Sequence, residues 1–276
     1  MKALVVGDGP WAQFLFQRIS QEPDIEANTV PARKLIEVFS SRASYEDHWD
    51  LVLCVTRPSL QEYLVPILAK YSKYLWLEKP IAESSKGCDA ILESLNKYKS
   101  AAMVNLPWNY SQIWRKFESI RPNKSKVSKI EISRRGVVGQ RNYISIIEDY
   151  GTHDLCLFFD WIGSPFEHKK VLSYGENRDS TFRGLIHEIN ISWNWEKSIN
   201  KKEMKWRIFD KDGNIFDLDF YNSTIHVNEK LVEVEKSSSD NISRFLKSLI
   251  TDNYEVHKKN ITIAIATKQL FIESFT

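Results

Sequence analysis

Residues 2–12 run Lys2-Ala3-Leu4-Val5-Val6-Gly7-Asp8-Gly9-Pro10-Trp11-Ala12. A short apolar run stops at a glycine turn, and Trp11, Phe14, Leu15 and Ile19 follow at helical spacing. That order predicts strand, tight turn, helix. Within the turn, Gly7-x-Gly9-x-x-Ala12 answers three physical demands. The first glycine permits the sharp turn, the second lets a pyrophosphate approach the backbone, and Ala12 is small enough for the helix to pack on the strand. Free N–H groups and the positive dipole end at the helix start suit an anion. Pro10 and Trp11, which open the helix, are counted with these as cofactor-binding residues. A lone motif of this kind is weak, and a turn without any ligand also satisfies it. The strand–turn–helix context is what favours a dinucleotide.

After this helix, Glu26 to Val30 reads as a second strand, with Pro31 in the first turn of a helix through Leu35 and Phe39. Leu51 to Val55 is an unbroken apolar run, the pattern of a parallel strand covered on both faces. Leu60 to Tyr71 is helical, Tyr74 to Leu77 a strand, Ser84 to Tyr98 a helix, and Ala101 to Asn105 a strand. Alternation of this sort predicts a doubly wound parallel sheet, a Rossmann domain over residues 1–106. The pattern then changes. A helix around Tyr110 to Ile120, a strand from Val127 to Ser133 and an apolar helix from Gly151 to Ile162 precede a long two-residue alternation between Arg183 and Glu235. Asp212-Gly213 and Val227-Asn228 are turn signals within it. Ser237 to Asp240 reads as a loop, and two helices close the chain. Residues 107–276 are thus expected to form an α+β domain with a largely antiparallel sheet, whose last helix is free to pack back on the first domain.

Bulk composition narrows the function classes. Of 276 residues, 42% are hydrophobic and 27% charged, values that allow a proper core. The formal charge of +2 is too balanced to argue for a nucleic-acid or membrane surface. Cys54, Cys88 and Cys156 have no paired or metal-like spacing, and Cys54 and Cys156 sit in apolar runs, as reduced buried thiols do. With no run long enough for a membrane span and an opening strand that turns too soon for a signal peptide, the expected location is the cytoplasm. His48, His168, His187, His226 and His257 show no spacing that suggests a metal site. Asp210-Lys-Asp212-Gly213-Asn214 faintly echoes a calcium loop but lacks its later carboxylate, so a hairpin turn is the better reading. Trp193, Trp195 and Trp206 alternate as sheet-packing residues do.

A ribose-binding carboxylate belongs at the end of the second strand, yet Asn28-Thr-Val-Pro-Ala-Arg33-Lys34 stands there. Arg33 and Lys34 could pair with a 2′-phosphate, which leans towards NADP over NAD; two simply solvated basic residues explain them nearly as well. The stretch from Arg33 to Asp50 is short, so the adenosine end of the pocket is expected to be abbreviated.

Leu75-Trp76-Leu77-Glu78-Lys79-Pro80 places a charged pair at the carboxyl end of a buried strand, the edge where open α/β sheets bind ligands. A lysine there could hydrogen-bond a substrate oxygen and share in proton transfer. A solvent-exposed Glu-Lys at a strand end is the plainer alternative. Gly7-x-Gly9-x-x-Ala12, Val55-Thr56-Arg57-Pro58 and Glu78-Lys79-Pro80 at this spacing resemble the Gfo/Idh/MocA oxidoreductases, which include glucose–fructose oxidoreductase and inositol dehydrogenase. Asp149-Tyr-Gly151-Thr-His153 looks like that family's Asp-x-Gly-x-His signature, and Ile261 to Phe275 is similar to its terminal helix. Departures are the short chain, the trimmed second βαβ unit and Arg57 in place of a small loop residue.

The resemblance implies hydride transfer between NAD(P) and a carbinol or carbonyl carbon of a small polar metabolite such as a sugar or sugar nucleotide. Lys79, His153 and Asp149 become the catalytic candidates. Thr56, Pro58 and Glu78 join Arg33 and Lys34 on the cofactor side. An imidazole suits the accompanying proton movement, and a carboxylate four residues earlier can orient the ring; a helix-capping Asp beside a structural His is the alternative. Trp108, Tyr110 and Tyr150 are candidate substrate contacts, though Trp108 and Tyr110 fit a plain interdomain core equally. A homodimer or higher homo-oligomer through the exposed face of the antiparallel sheet is also implied; no metal and no nucleic-acid partner are expected, from the histidine and cysteine spacing and the balanced charge. Two rival functions remain: reduction of an imine or conjugated double bond on the same fold, and a non-catalytic dinucleotide-binding or scaffold protein.

Overall fold

A computed structural model describes residues 1–41, 48–136, 147–163, 171–172, 179–186, 188–197, 202–235, 240–251 and 254–275. The expected loop at Ser237–Ser239, and His168 and His187, lie outside the described residues. The chain divides into two compact units, one of Met1–Asn105 with Phe245–Ile272, the other of Leu106–Arg244 with the chain's end.

In the first unit, β1 (Lys2–Val6), β2 (Glu26–Val30), β3 (Trp49–Cys54), β4 (Ser72–Leu77) and β5 (Ala101–Val104) form a parallel sheet. Its strand order is β2-β1-β3-β4-β5, so the direction of winding reverses between β1 and β3. Helices α1 (Pro10–Ile19), α2 (Ala32–Ser40), α3 (Pro58–Leu68) and α4 (Ser85–Tyr98) make the crossovers. Leu51–Cys54 and Leu75–Leu77 are wholly buried, as apolar strands covered on both faces must be. Proline opens α1 and α3 at positions that need no N–H, and the Ser84 hydroxyl caps α4 by accepting the Gly87 N–H at 3.0 Å. Pro31 keeps an extended backbone as N-cap, so α2 starts one residue later than its sequence suggests. Two further helices, α7 (Asn241–Thr251) and α8 (Tyr254–Phe275), end the described chain. Phe245 sets its ring edge-on to Trp76 at 4.5 Å. The Asn260 side chain accepts the Val104 N–H at 2.7 Å and donates to its carbonyl at 3.3 Å, covering backbone groups that edge strand β5 would otherwise leave open.

The second unit carries β6 (Val127–Gly136), β7 (Val171–Leu172), β8 (Asp179–Ile186), β9 (Ile189–Lys197), β10 (Glu203–Asp210), β11 (Ile215–Asp219), β12 (Thr224–Val227) and β13 (Lys230–Val232). Among the described residues these make one sheet in the order β13-β12-β11-β10-β6-β9-β8-β7. The ladders are antiparallel except β6 with β9, which run parallel because α6 (Thr152–Ile162) and the β7–β8 hairpin intervene. Ile130, Ile132, Ile191, Trp193, Trp195, Met204, Trp206 and Ile208 are buried, while the residues between them, such as Lys129, Glu131, Lys205 and Arg207, turn outward. Helix α5 (Gln112–Ile120) covers the inner face through Trp114 on Trp206, and α6 through Phe158 on Trp193. The tryptophans are core residues. A 3-10 turn at Pro107–Tyr110 is separated from α5 by Ser111, whose hydroxyl caps the helix. Asn228 and Glu229 take positive φ at the tight β12–β13 turn. At the β10–β11 turn, the Asp210 carboxylate binds the Asp212 and Asn214 N–H groups at 2.9 and 2.8 Å, which is hairpin chemistry.

Candidate active site

The glycine turn after β1 is the first part of the site. Gly7 holds φ +143°, and a Cβ there would strike the Val55 carbonyl oxygen. The Gly7 N–H donates to Val30 and the Val55 N–H to Val6, both at 2.9 Å, so the carboxyl ends of β2, β1 and β3 are tied together. Beside Gly9 a Cβ would meet nothing within 4 Å, which leaves the backbone approachable. Pro10 begins α1, Ala12 is buried against the strand, and no side chain caps the helix start. A turn open on one side, next to uncapped N–H groups, fits the phosphates of a dinucleotide. Thr56 and Pro58 follow β3 at the same edge, on either side of the extended N-cap Arg57. Arg33 and Lys34 are exposed in the first turn of α2, directly after β2, and α2 spans nine residues.

Beyond β4 lies the corner at Glu78. Its Oε1 accepts three N–H donors: Trp11 Nε1 at 2.8 Å, Asn105 Nδ2 at 2.9 Å and Trp76 Nε1 at 3.1 Å. Burial pushes the Glu78 carboxyl above the usual carboxylate range, and those donors and the Lys79 charge oppose the rise. Lys79 is half-buried, and its bond to Pro80 is cis. The loop that carries Lys79 is gripped by Gln61, a wholly buried residue of α3. Gln61 Oε1 accepts the Glu78 N–H at 2.8 Å, and its Nε2 donates to the carbonyls of Glu78 (2.7 Å), Ile81 (2.8 Å) and Pro80 (3.3 Å). Next to it, Glu62 Oε2 takes the N–H groups of Glu83 and Ser84 and the Ser84 hydroxyl, each at 3.1 Å. Cys54, at the end of β3, is pushed up to about 12 by burial and stays a thiol.

In the second unit, Asp149 and Tyr150 belong to a π-helical turn, Ile147–Gly151, and His153 is the second residue of α6. Such turns often mark functional positions. All three side chains are half-buried, whereas Asp154 is wholly buried. The Asp154 carboxylate accepts from Arg134 Nη1 at 3.3 Å and Trp195 Nε1 at 3.2 Å, which pins the first turn of α6 to the sheet. Burial raises the Asp154 carboxyl, and the Arg134 charge works against it. The Arg134 guanidinium also lies over the Tyr150 ring at 5.4 Å, and Gly136 leaves room for the Tyr150 hydroxyl. Trp108 packs edge-on against Phe220 and Tyr221 within its own unit, and the Tyr110 carbonyl accepts from Arg244 Nε at 2.7 Å. No group of side chains among the described residues is arranged to hold a metal.

Gln61, Asn105, Arg134 and Asp154 were not expected from the sequence. Signals for three of them are there. Gln61 stands in the apolar stripe Leu64, Val65, Leu68, Arg134 on the inward side of β6, and Asp154 in the apolar run of α6.

No protein-family model and no curated protein sequence matches the chain. Solved structures do. UDP-N-acetylglucosamine 3-dehydrogenase from Acidithiobacillus ferrooxidans is 16% identical with a TM-score of 0.80, covering 99% of this chain and 96% of its own. Aldose-aldose oxidoreductase from Caulobacter crescentus is 12% identical with a TM-score of 0.76, covering 100% and 96%. A Gfo/Idh/MocA family oxidoreductase from Vibrio cholerae is 13% identical with a TM-score of 0.71, covering 98% and 95%. Over nearly its whole length, the chain has the fold of the Gfo/Idh/MocA oxidoreductases.

Proposed function

We propose that this chain is a cytoplasmic oxidoreductase of the Gfo/Idh/MocA type, moving a hydride between NADP(H), or NAD(H), and a carbinol or carbonyl carbon of a small polar metabolite. The observation that carries the reading is the carboxyl edge of the five-stranded sheet, where an open-sided glycine turn, an uncapped helix start and a buttressed lysine loop occur together. The glycine turn and the N–H groups of Trp11 and Ala12 at the start of α1 would hold the pyrophosphate, Arg33 and Lys34 the 2′-phosphate, and Thr56 and Pro58 the stretch between. When bound, the nicotinamide supplies or accepts the hydride. Lys79 donates a hydrogen bond to the substrate oxygen and steadies the charge that develops there. His153 takes or returns the proton on that oxygen, and Asp149 holds the ring in the right tautomer. Tyr150, Trp108 and Tyr110 are the proposed substrate contacts. The names of two structural neighbours, a sugar-nucleotide dehydrogenase and an aldose oxidoreductase, favour a sugar or sugar nucleotide as substrate.

A homodimer through the outer face of the large sheet belongs to the same proposal. Lys129 with Glu131 and Arg207 with Asp217 pair there at 2.6 Å, so a second copy would meet charges of both signs. Sedimentation at low and high salt checks this, with more dimer expected at low salt. For the main reading, nine tryptophans provide the signal. Titration with NADPH and NADH should quench their fluorescence saturably, and tighter for NADPH. Absence of any response would remove the enzyme reading and leave a scaffold in its place.

A further inference from the structure

Position 11 is free in the phosphate-turn pattern, since only residues 7, 9 and 12 are constrained by size. A tryptophan stands there, and its indole is not idle. Trp11 Nε1 donates to Glu78 Oε1 at 2.8 Å. Strand β3 lies between β1 and β4 in the sheet, so a side chain that leaves the first turn of α1 and ends at Glu78 spans the carboxyl end of β3. The acceptor is firmly set, because the same oxygen also takes the Trp76 and Asn105 N–H groups. Phe14, stacked on the indole at 5.1 Å and 16°, backs it from the next turn of the helix. Trp11 itself is only half-buried. A dinucleotide with its phosphates at Gly7–Gly9 and its reacting ring by Lys79 has to cross that same span.

We propose that Trp11, held in place by Glu78, is the wall against which the nicotinamide half of the cofactor packs, while the glycines serve the phosphates. This rests on the dinucleotide reading above. Glu78 is then a positioning residue that acts through the indole and has no direct contact with the reacting atoms.

Calorimetric titration with NADP⁺ and with 2′-phospho-ADP-ribose, which lacks the nicotinamide, separates the two halves. Trp11→Leu should weaken NADP⁺ by roughly 2- to 12-fold, the worth of one aromatic pair, and leave 2′-phospho-ADP-ribose unchanged. Trp11→Phe, which keeps a ring, should restore most of that loss. Glu78→Gln should give a smaller loss with the same selectivity for NADP⁺. Energy transfer from tryptophan to bound NADPH should fall in Trp11→Phe even where affinity is retained, which keeps the test open should the leucine variant fail to fold. Equal weakening of both ligands, or of neither, overturns the role of Trp11. Failure of the unaltered protein to bind either ligand overturns the dinucleotide reading itself.

Discussion

Replacing Gln61 by leucine tests whether the Lys79 loop is held from α3. The side chain is wholly buried and its length is nearly matched by leucine, so packing is largely kept while polar partners are lost. An amide carries two hydrogens. The bonds from Nε2 to Glu78 and Ile81, at 2.7 and 2.8 Å, are therefore the full ones, and the 3.3 Å contact to Pro80 is shared. With the Glu78 N–H bonded to Oε1, three good hydrogen bonds disappear. Each is worth about 0.5–1.5 kcal/mol net, and a buried donor left unsatisfied costs about 1–3 kcal/mol. Gln61→Leu should therefore destabilise the first unit by about 2–4 kcal/mol. The matching fall in its melting temperature is on the order of 10 °C. Hydrogen exchange gives the site-specific readout: the Glu78 amide should lose its protection in the variant. Turnover should fall with it, because Lys79 no longer has a fixed backbone. A stability change below about 0.5 kcal/mol, the level of an ordinary surface substitution, with the Glu78 amide still protected, would refute the clamp.

Arg33→Ala should weaken NADPH by about 1.5–3 kcal/mol, one charge-assisted contact, and leave NADH unchanged; equal weakening of both would refute the 2′-phosphate assignment. Glu78 has a folded pKa above its unfolded value, so its contribution to stability is complete below about pH 4.3 and is lost as pH rises through the raised pKa. Urea unfolding of Glu78→Gln across that range should accordingly show a flatter pH profile than the unaltered protein, and a steeper one would contradict the burial argument. Lys79→Met and His153→Asn should each keep cofactor binding and cut turnover by a factor of ~10²–10⁴, with the double variant far from additive. Full additivity would mean that the two residues do not share one proton transfer.

The first unit was legible because β1, β3, β4 and β5 each carry a buried apolar run, whereas β2 is polar and largely exposed and follows only from its place in the alternation. Once Lys2–Val6 is read as a strand, alternation of periods 2 and 3.6 leaves few other arrangements for residues as far as Val104. The second unit yielded its longer strands but neither the two-residue β7 nor one ladder direction. Two-residue periodicity says that a strand has one wet face; it carries no information on which strand lies next to it. The parallel pairing of β6 with β9 depends on a crossover through α6, and residues far apart in sequence decide it. Helix ends shifted where capping chemistry outweighed apolar spacing, as at Pro31 and Ser111.

Candidate residues on strand ends and turns could be named from motif and position, whereas those that hold them could not. Gln61, Arg134 and Asp154 each break the apolar pattern of their own element, and taken alone a polar residue in an apolar stripe reads as an irregularity. A partner changes its meaning. Gln61 spends its amide on residues 78 to 81, and Asp154 joins the start of α6 to Arg134 and Trp195 one residue from His153. In both units the pattern is broken beside a motif residue. Burying an amide or a carboxylate is costly unless each polar atom is satisfied, so such residues persist where the geometry they impose is needed. A break in periodicity within a turn or two of a motif, or across the sheet from one, is accordingly where a positioning residue should be sought, and the partner it will be found to hold is backbone or a second buried charge.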